Sequence, residues 1–110
     1  MEAPAKGSIV LVPFPFSDLS ATKLRPAVIL AKIDRNDLVL CQVTSNRYAD
    51  PDAVELTAAD FDQGSLSRLS YVRPGKLFTG NLTAVVDVIG HLKIDSLSNV
   101  IDAVVAVLKR

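Results

Sequence analysis

Through its first 92 positions this chain sustains no helical period: its apolar residues come in short runs of Val, Ile, Leu and Ala, punctuated by Pro, Gly or clusters of Asp and Asn. That rhythm belongs to strands joined by turns. Gly7 opens the first run, Ser8-Ile9-Val10-Leu11-Val12, which Pro13 is expected to end. Residues 13–22 mix two prolines with small polar residues, which predicts a loop of unusual length, and long loops in small domains are often functional. Arg25-Pro26 then leads into a strand over 27–31, with Pro26 tolerated at its first residue. Asp34-Arg35-Asn36-Asp37 reads as a turn, and 38–44 as the returning strand of a hairpin.

Residues 53–56 form a further short strand, followed by Thr57-Ala58-Ala59-Asp60, a capping-box pattern that starts one helical turn before Gly64. Two short runs, 71–73 and 76–79, flank Pro74-Gly75, and 85–92 is the last strand. After it the period changes. Leu97, Val100, Ile101, Val104, Val105 and Leu108 follow helical spacing, with Asp95 or Ser96 as the cap. The expected fold is mainly β and antiparallel, a small barrel with one C-terminal helix packed on it.

The 110 residues suit a single domain spanning 1–110, and a 49% hydrophobic content without Trp implies a core of aliphatic side chains. A formal net charge of zero removes the simplest argument for a nucleic-acid partner. The distribution is less neutral. Asp50, Asp52, Glu55, Asp60 and Asp62 form an acidic stretch, whereas from Gln63 to Val86 the charged residues are Arg68, Arg73 and Lys76. A basic face can hide in such a total, although solvated surface explains the same blocks. Cys41 is the single cysteine, so an intrachain disulfide is excluded and a reducing compartment is expected. Residues 1–6 carry no apolar signal-like run and no segment approaches a membrane span, so the expected setting is the cytoplasm.

Four stretches resemble the MazF/PemK/Kid family of toxins: Gly7-Ser8-Ile9-Val10-Leu11-Val12 with its Pro-Phe tail, Lys23-Leu24-Arg25-Pro26-Ala27-Val28-Ile29-Leu30, Gln42-Val43-Thr44-Ser45-Asn46, and Ser70-Tyr71-Val72-Arg73-Pro74-Gly75-Lys76-Leu77. The resemblance implies an SH3-like barrel of the CcdB/PemK type, a homodimer, a cognate antitoxin protein, and ribosome-independent cleavage of single-stranded mRNA at short sequence motifs without metal or other cofactor. Two positions depart from the family's pattern. Ser8 stands where Asp is usual, and Gly75 stands where some members carry an Asp proposed for acid/base work.

Metal-free RNA cleavage uses the substrate's own 2′-hydroxyl as nucleophile, so the protein must move protons and stabilise charge on the phosphorane. Arg25 suits the second task, because a guanidinium offers several planar donors and a permanent charge. Thr44 ends the strand expected to pair with the one beginning at Arg25, so a hairpin register brings its hydroxyl beside that guanidinium; β-propensity alone also explains a strand-end Thr. The proton-transfer group is open. Asp18 is a possible acid/base and is equally an Asx-turn residue, Arg25 itself is a candidate for the acid, and His91, the one histidine, reads as structural. Lys23, Ser45, Ser17, Arg73 and Lys76 are candidate RNA-binding residues, with Phe14, Phe16 and Tyr71 as stacking surfaces. An alternative remains in a non-catalytic toxin or binding module of the same fold, such as a CcdB-like gyrase poison, which Gly75 favours.

Overall fold

The computed structural model describes residues 3–15 and 22–110, so Phe16, Ser17 and Asp18 lie outside the described residues. Strands β1 (Ser8–Pro15), β2 (Thr22–Lys32), β3 (Asp37–Thr44), β4 (Val54–Leu56), β5 (Phe61–Gly64), β6 (Ser70–Asn81) and β7 (Asp87–Leu92) precede helix α1 (Ile94–Leu108). They form one antiparallel sheet in the order β4-β6-β3-β2-β1-β7-β5. Register shifts in β1–β7, β2–β3, β3–β6 and β5–β7 bend the sheet into a half-barrel, since an extra residue on one strand increases local twist.

Both faces of this sheet are core. Ile9, Val28, Leu30, Cys41, Val43, Val72 and Leu92 lie on one face, where Val100 and Val104 of α1 cover them. The alternate residues Val10, Val12, Ala27, Ile29, Leu38 and Leu40 form a second cluster on the other face, against Phe78, Leu82, Val85 and Val88. Each fully buried aliphatic side chain contributes roughly 1.5–3 kcal/mol.

The β2–β3 hairpin turns where expected. Arg35 and Asn36 take left-handed backbone (φ 62° and 65°), and the Ile33 N–H donates to the Asp37 carbonyl at 2.7 Å. Three expectations about proline require correction. β1 does not stop at Pro13 but runs to Pro15, with Pro13 opposite Leu24. The Leu11 carbonyl points toward β7, accepting from the Val86 N–H at 2.9 Å, and residues two apart share that direction. Pairing with β7 ends at Leu11, so the N–H that Pro13 lacks would have faced an open edge. The loop is correspondingly shorter than residues 13–22, because β2 begins at Thr22; Pro26 is inside the strand, one residue before pairing with β3 starts at Ala27.

Pro74-Gly75 likewise does not divide two strands. β6 is continuous, and the register jumps from Val43 opposite Val72 to Cys41 opposite Leu77, so residues 73–76 bulge out of the ladder. Pro74 is buried within the bulge, and the Cys41 thiol donates to the Arg73 carbonyl at 3.0 Å. Burial first, and the negative charge of Asp50 second, push that thiol up to about 12.

Residues 57–60 form the expected capping box on a single 3-10 turn, but the chain then enters β5, a strand the sequence did not announce. Asp60 joins this turn to the helix. Its carboxylate accepts from the Thr57 N–H at 2.7 Å and from the Ser96 hydroxyl at 2.8 Å, while its carbonyl accepts from the Lys93 N–H at 2.8 Å. The N-cap of α1 is therefore Lys93 and not Asp95 or Ser96, whose hydroxyl is spent on Asp60. The buried stripe of α1 is Ser96, Val100 and Val104, with Leu97 and Ile101 half-buried; Val105 and Leu108 of the expected stripe stay exposed.

Candidate functional site

At one end of the sheet the second face loses its apolar character. On β2, Ile29 and Ala27 are followed on the same face by Arg25 and Lys23; on β3, Leu38 and Leu40 are followed by Gln42 and Thr44. Ala27 pairs with Gln42, and extending that register by two positions sets Arg25 across from Thr44. Arg25 also pairs with Val12 of β1, and Lys23 with Phe14. The hairpin thus brings together the two residues singled out as a centre.

Arg25 is half-buried and Thr44 is buried, at 8% exposure. The Thr44 hydroxyl accepts from the Asn46 N–H at 3.1 Å, and the Asn46 side chain accepts in turn from the Tyr48 N–H at 2.8 Å. This fixes the hydroxyl's orientation and leaves its own hydrogen for an oxygen acceptor. Beside it, the Gln42 side-chain oxygen is buried without a hydrogen-bond partner among the described residues.

The strand ends line a cleft of about 460 Å³ formed by Lys23 to Pro26, Val43 to Ser45, Leu66 to Arg68, and Ser70. Lys23 and Ser45 are exposed there, so the structure unites Arg25, Thr44, Lys23 and Ser45. Ser67 and Arg68 join them from a segment that sequence reasoning left unassigned, and Ser70 from the start of the fourth family-like stretch; the acid-free stretch was the one signal pointing to Arg68.

Arg73 and Lys76 are set elsewhere, and Phe14, although paired with Lys23, does not line this cleft. Arg73 forms an ion pair with Asp50 at 3.1 Å and lies over the Tyr48 ring, 4.9 Å from its centroid. The Asp52 N–H and the Arg73 guanidinium hold the Asp50 carboxyl below its usual range. Lys76 is exposed on the β6 bulge. Phe14 packs edge-on against Phe78, with ring centroids 5.2 Å apart, beside a separate cleft of about 310 Å³. At Gly75, a Cβ would meet no atom within 4 Å, so there is room there for a side chain such as Asp. His91, on β7, sits with Nε2 3.1 Å from the Lys6 carbonyl oxygen. No three His, Cys, Asp or Glu side chains among the described residues converge as a metal site requires, and no helix among them is long and apolar enough to cross a membrane.

No protein-family model matches this chain, and no curated protein does. Solved structures do. A MazE–MazF crystal structure from Deinococcus radiodurans (form II) aligns with TM-score 0.77 and 19% identity, over 99% of this chain and 98% of that one. A mycobacterial endoribonuclease in complex with its cognate antitoxin aligns with TM-score 0.71 and 18% identity, over 99% and 96% of the two chains. The Mycobacterium tuberculosis toxin MazF-mt6 aligns with TM-score 0.71 and 17% identity, over 93% and 96%. At such identities the likeness concerns architecture. Over nearly its whole length, the chain has the fold seen in MazF toxins.

Proposed function

We propose that this chain is a toxin-type endoribonuclease that cuts single-stranded mRNA without a metal ion or the ribosome. In this reading it acts in the cytoplasm as a homodimer and is held silent by a cognate antitoxin. The observation that carries the reading is the meeting of Arg25 and Thr44 in one cleft, at the polar end of an otherwise apolar sheet face. The similarity to a structure named as an endoribonuclease, and to another named as a MazF toxin, supports it.

The chemistry follows from the two side chains. The Arg25 guanidinium stabilises charge as the attacking 2′-oxygen turns the phosphate into a phosphorane, and the Thr44 hydroxyl donates to a nonbridging oxygen. Lys23 and Arg68 contact neighbouring phosphates and fix the register of the strand. Purified protein incubated with an unstructured RNA in EDTA is expected to yield fragments ending in 2′,3′-cyclic phosphate and beginning with 5′-hydroxyl. Cleavage that needs Mg²⁺, or that leaves 5′-phosphate, contradicts this chemistry. Growth arrest with intact mRNA and trapped gyrase–DNA complexes would instead identify the CcdB-like alternative.

A further inference from the structure

Three strands beside the candidate centre carry a row of functional side chains across the sheet. Thr44 of β3 pairs with Tyr71 of β6, and Tyr71 pairs on its other side with Glu55 of β4. With the β2–β3 register extended as above, the row reads Arg25, Thr44, Tyr71, Glu55. Alternation fixes the face at every strand. Val43, Val72 and Leu56 belong to the cluster under α1 and Val54 packs against it, so Thr44, Tyr71 and Glu55 lie on the opposite face. Side chains directly opposed in an antiparallel pair have Cβ atoms about 4.5–5.5 Å apart, so each adjacent pair in the row can share a group. Arg25 and Glu55 stand three strand spacings, about 14 Å, apart and meet only across a substrate of that span. Tyr71 is half-buried and Glu55 exposed.

Among the described residues, the other acid/base groups considered for this end are committed elsewhere or stand apart from it. Asp50 is held by Arg73 and by the Asp52 N–H, and Asp60 by Thr57 and Ser96. His91 lies on β7, separated from β3 by β2 and β1. Gly75 supplies no carboxylate.

We infer that Tyr71 and Glu55 are the proton-transfer pair of this site, an inference that rests on the endoribonuclease reading above. Glu55 takes the proton from the 2′-hydroxyl as that oxygen bonds to phosphorus. The bond from phosphorus to the 5′-oxygen breaks with its electron pair on oxygen, and the Tyr71 hydroxyl protonates that leaving oxygen. Products are the 2′,3′-cyclic phosphate and the 5′-hydroxyl. The carboxylic acid of Glu55 then returns its proton to the Tyr71 oxygen across the strand pair, which restores both groups without any co-reactant.

The test compares wild type, Tyr71→Phe and Glu55→Gln on an unstructured RNA oligonucleotide, and on the same oligonucleotide with sulfur as the 5′-bridging atom. A thiolate leaves without being protonated, so the sulfur substrate dispenses with the acid and not with the base. On ordinary RNA both variants are expected to lose roughly 100- to 10,000-fold in rate. On the sulfur substrate Tyr71→Phe should return to within about tenfold of wild type, while Glu55→Gln stays slow. Full activity of Tyr71→Phe on ordinary RNA, or an equal defect on both substrates, overturns the assignment of the acid. Wild-type rates for Glu55→Gln overturn that of the base. If wild type cuts neither substrate, the endoribonuclease reading itself fails.

Discussion

On the α1 side of β3, Val39, Cys41 and Val43 stay apolar to the end of the strand, whereas on the opposite side Leu38 and Leu40 give way to Gln42 and Thr44. β2 repeats the contrast, with Val28 and Leu30 on the helix side against Arg25 and Lys23 beyond Ala27 on the other. The same strands thus end in two ways, and packing accounts for only one of them. A buried Thr and a half-buried Arg at a strand end contribute less to a core than Val and Leu would. The structure places its polar residues where one face runs out of cover, and the proposed cleavage chemistry gives them a task there.

Breaking the apolar side should have the largest effect. Leu92 is fully buried in the cluster under α1, and Leu92→Ala is expected to cost about 2–5 kcal/mol, read by denaturant unfolding. A loss below about 1 kcal/mol would show that this face is not the main source of stability. A smaller effect is expected at the joint between the capping box and α1, where Asp60→Ala should cost about 1–3 kcal/mol. Burial disfavours the Asp60 charge, but hydrogen bonds from the Thr57 N–H, the Ser96 hydroxyl and the Thr57 hydroxyl outweigh it and hold the carboxyl below its ordinary 3.8. Asp60 therefore contributes stability that is complete above its unfolded-state value and is lost as pH falls through the lower folded one. Wild type should lose more stability than Asp60→Ala between pH 5 and pH 2. Parallel losses would remove the joint from the account.

Much of this was legible in the sequence because it is local. The hairpin turn at Asp34-Arg35-Asn36-Asp37, the capping box at Thr57 and the helical period after Lys93 each depend on a few adjacent residues. The hairpin in turn made the Arg25–Thr44 facing legible. What escaped depends on partners distant in sequence. Pro13 and Pro26 look like strand breakers until the neighbouring strand is seen to end beside them, and Pro74 looks like one until its bulge folds into the core. β5 carries no alternating pattern, and only its pairing with β7 makes it a strand. The helix stripe lies where expected at Leu97, Val100, Ile101 and Val104 and differs at its ends, where Ser96 is buried with its hydroxyl on Asp60 and Val105 and Leu108 are exposed. Tyr71 and Glu55 fell outside the expected centre for the same reason, since their pairing joins β4 to β6 across fifteen intervening residues.

The contrast between the two faces comes to a single point at Arg25, where a charged side chain takes the place in the row that a core residue would hold. Cleavage of one unstructured RNA in EDTA by wild type and by Arg25→Ala, with unfolding of both followed in parallel, addresses it directly. The account predicts a rate loss of roughly 100- to 1000-fold for Arg25→Ala, with the variant still folded at the assay temperature. Undiminished cleavage by folded Arg25→Ala would contradict it.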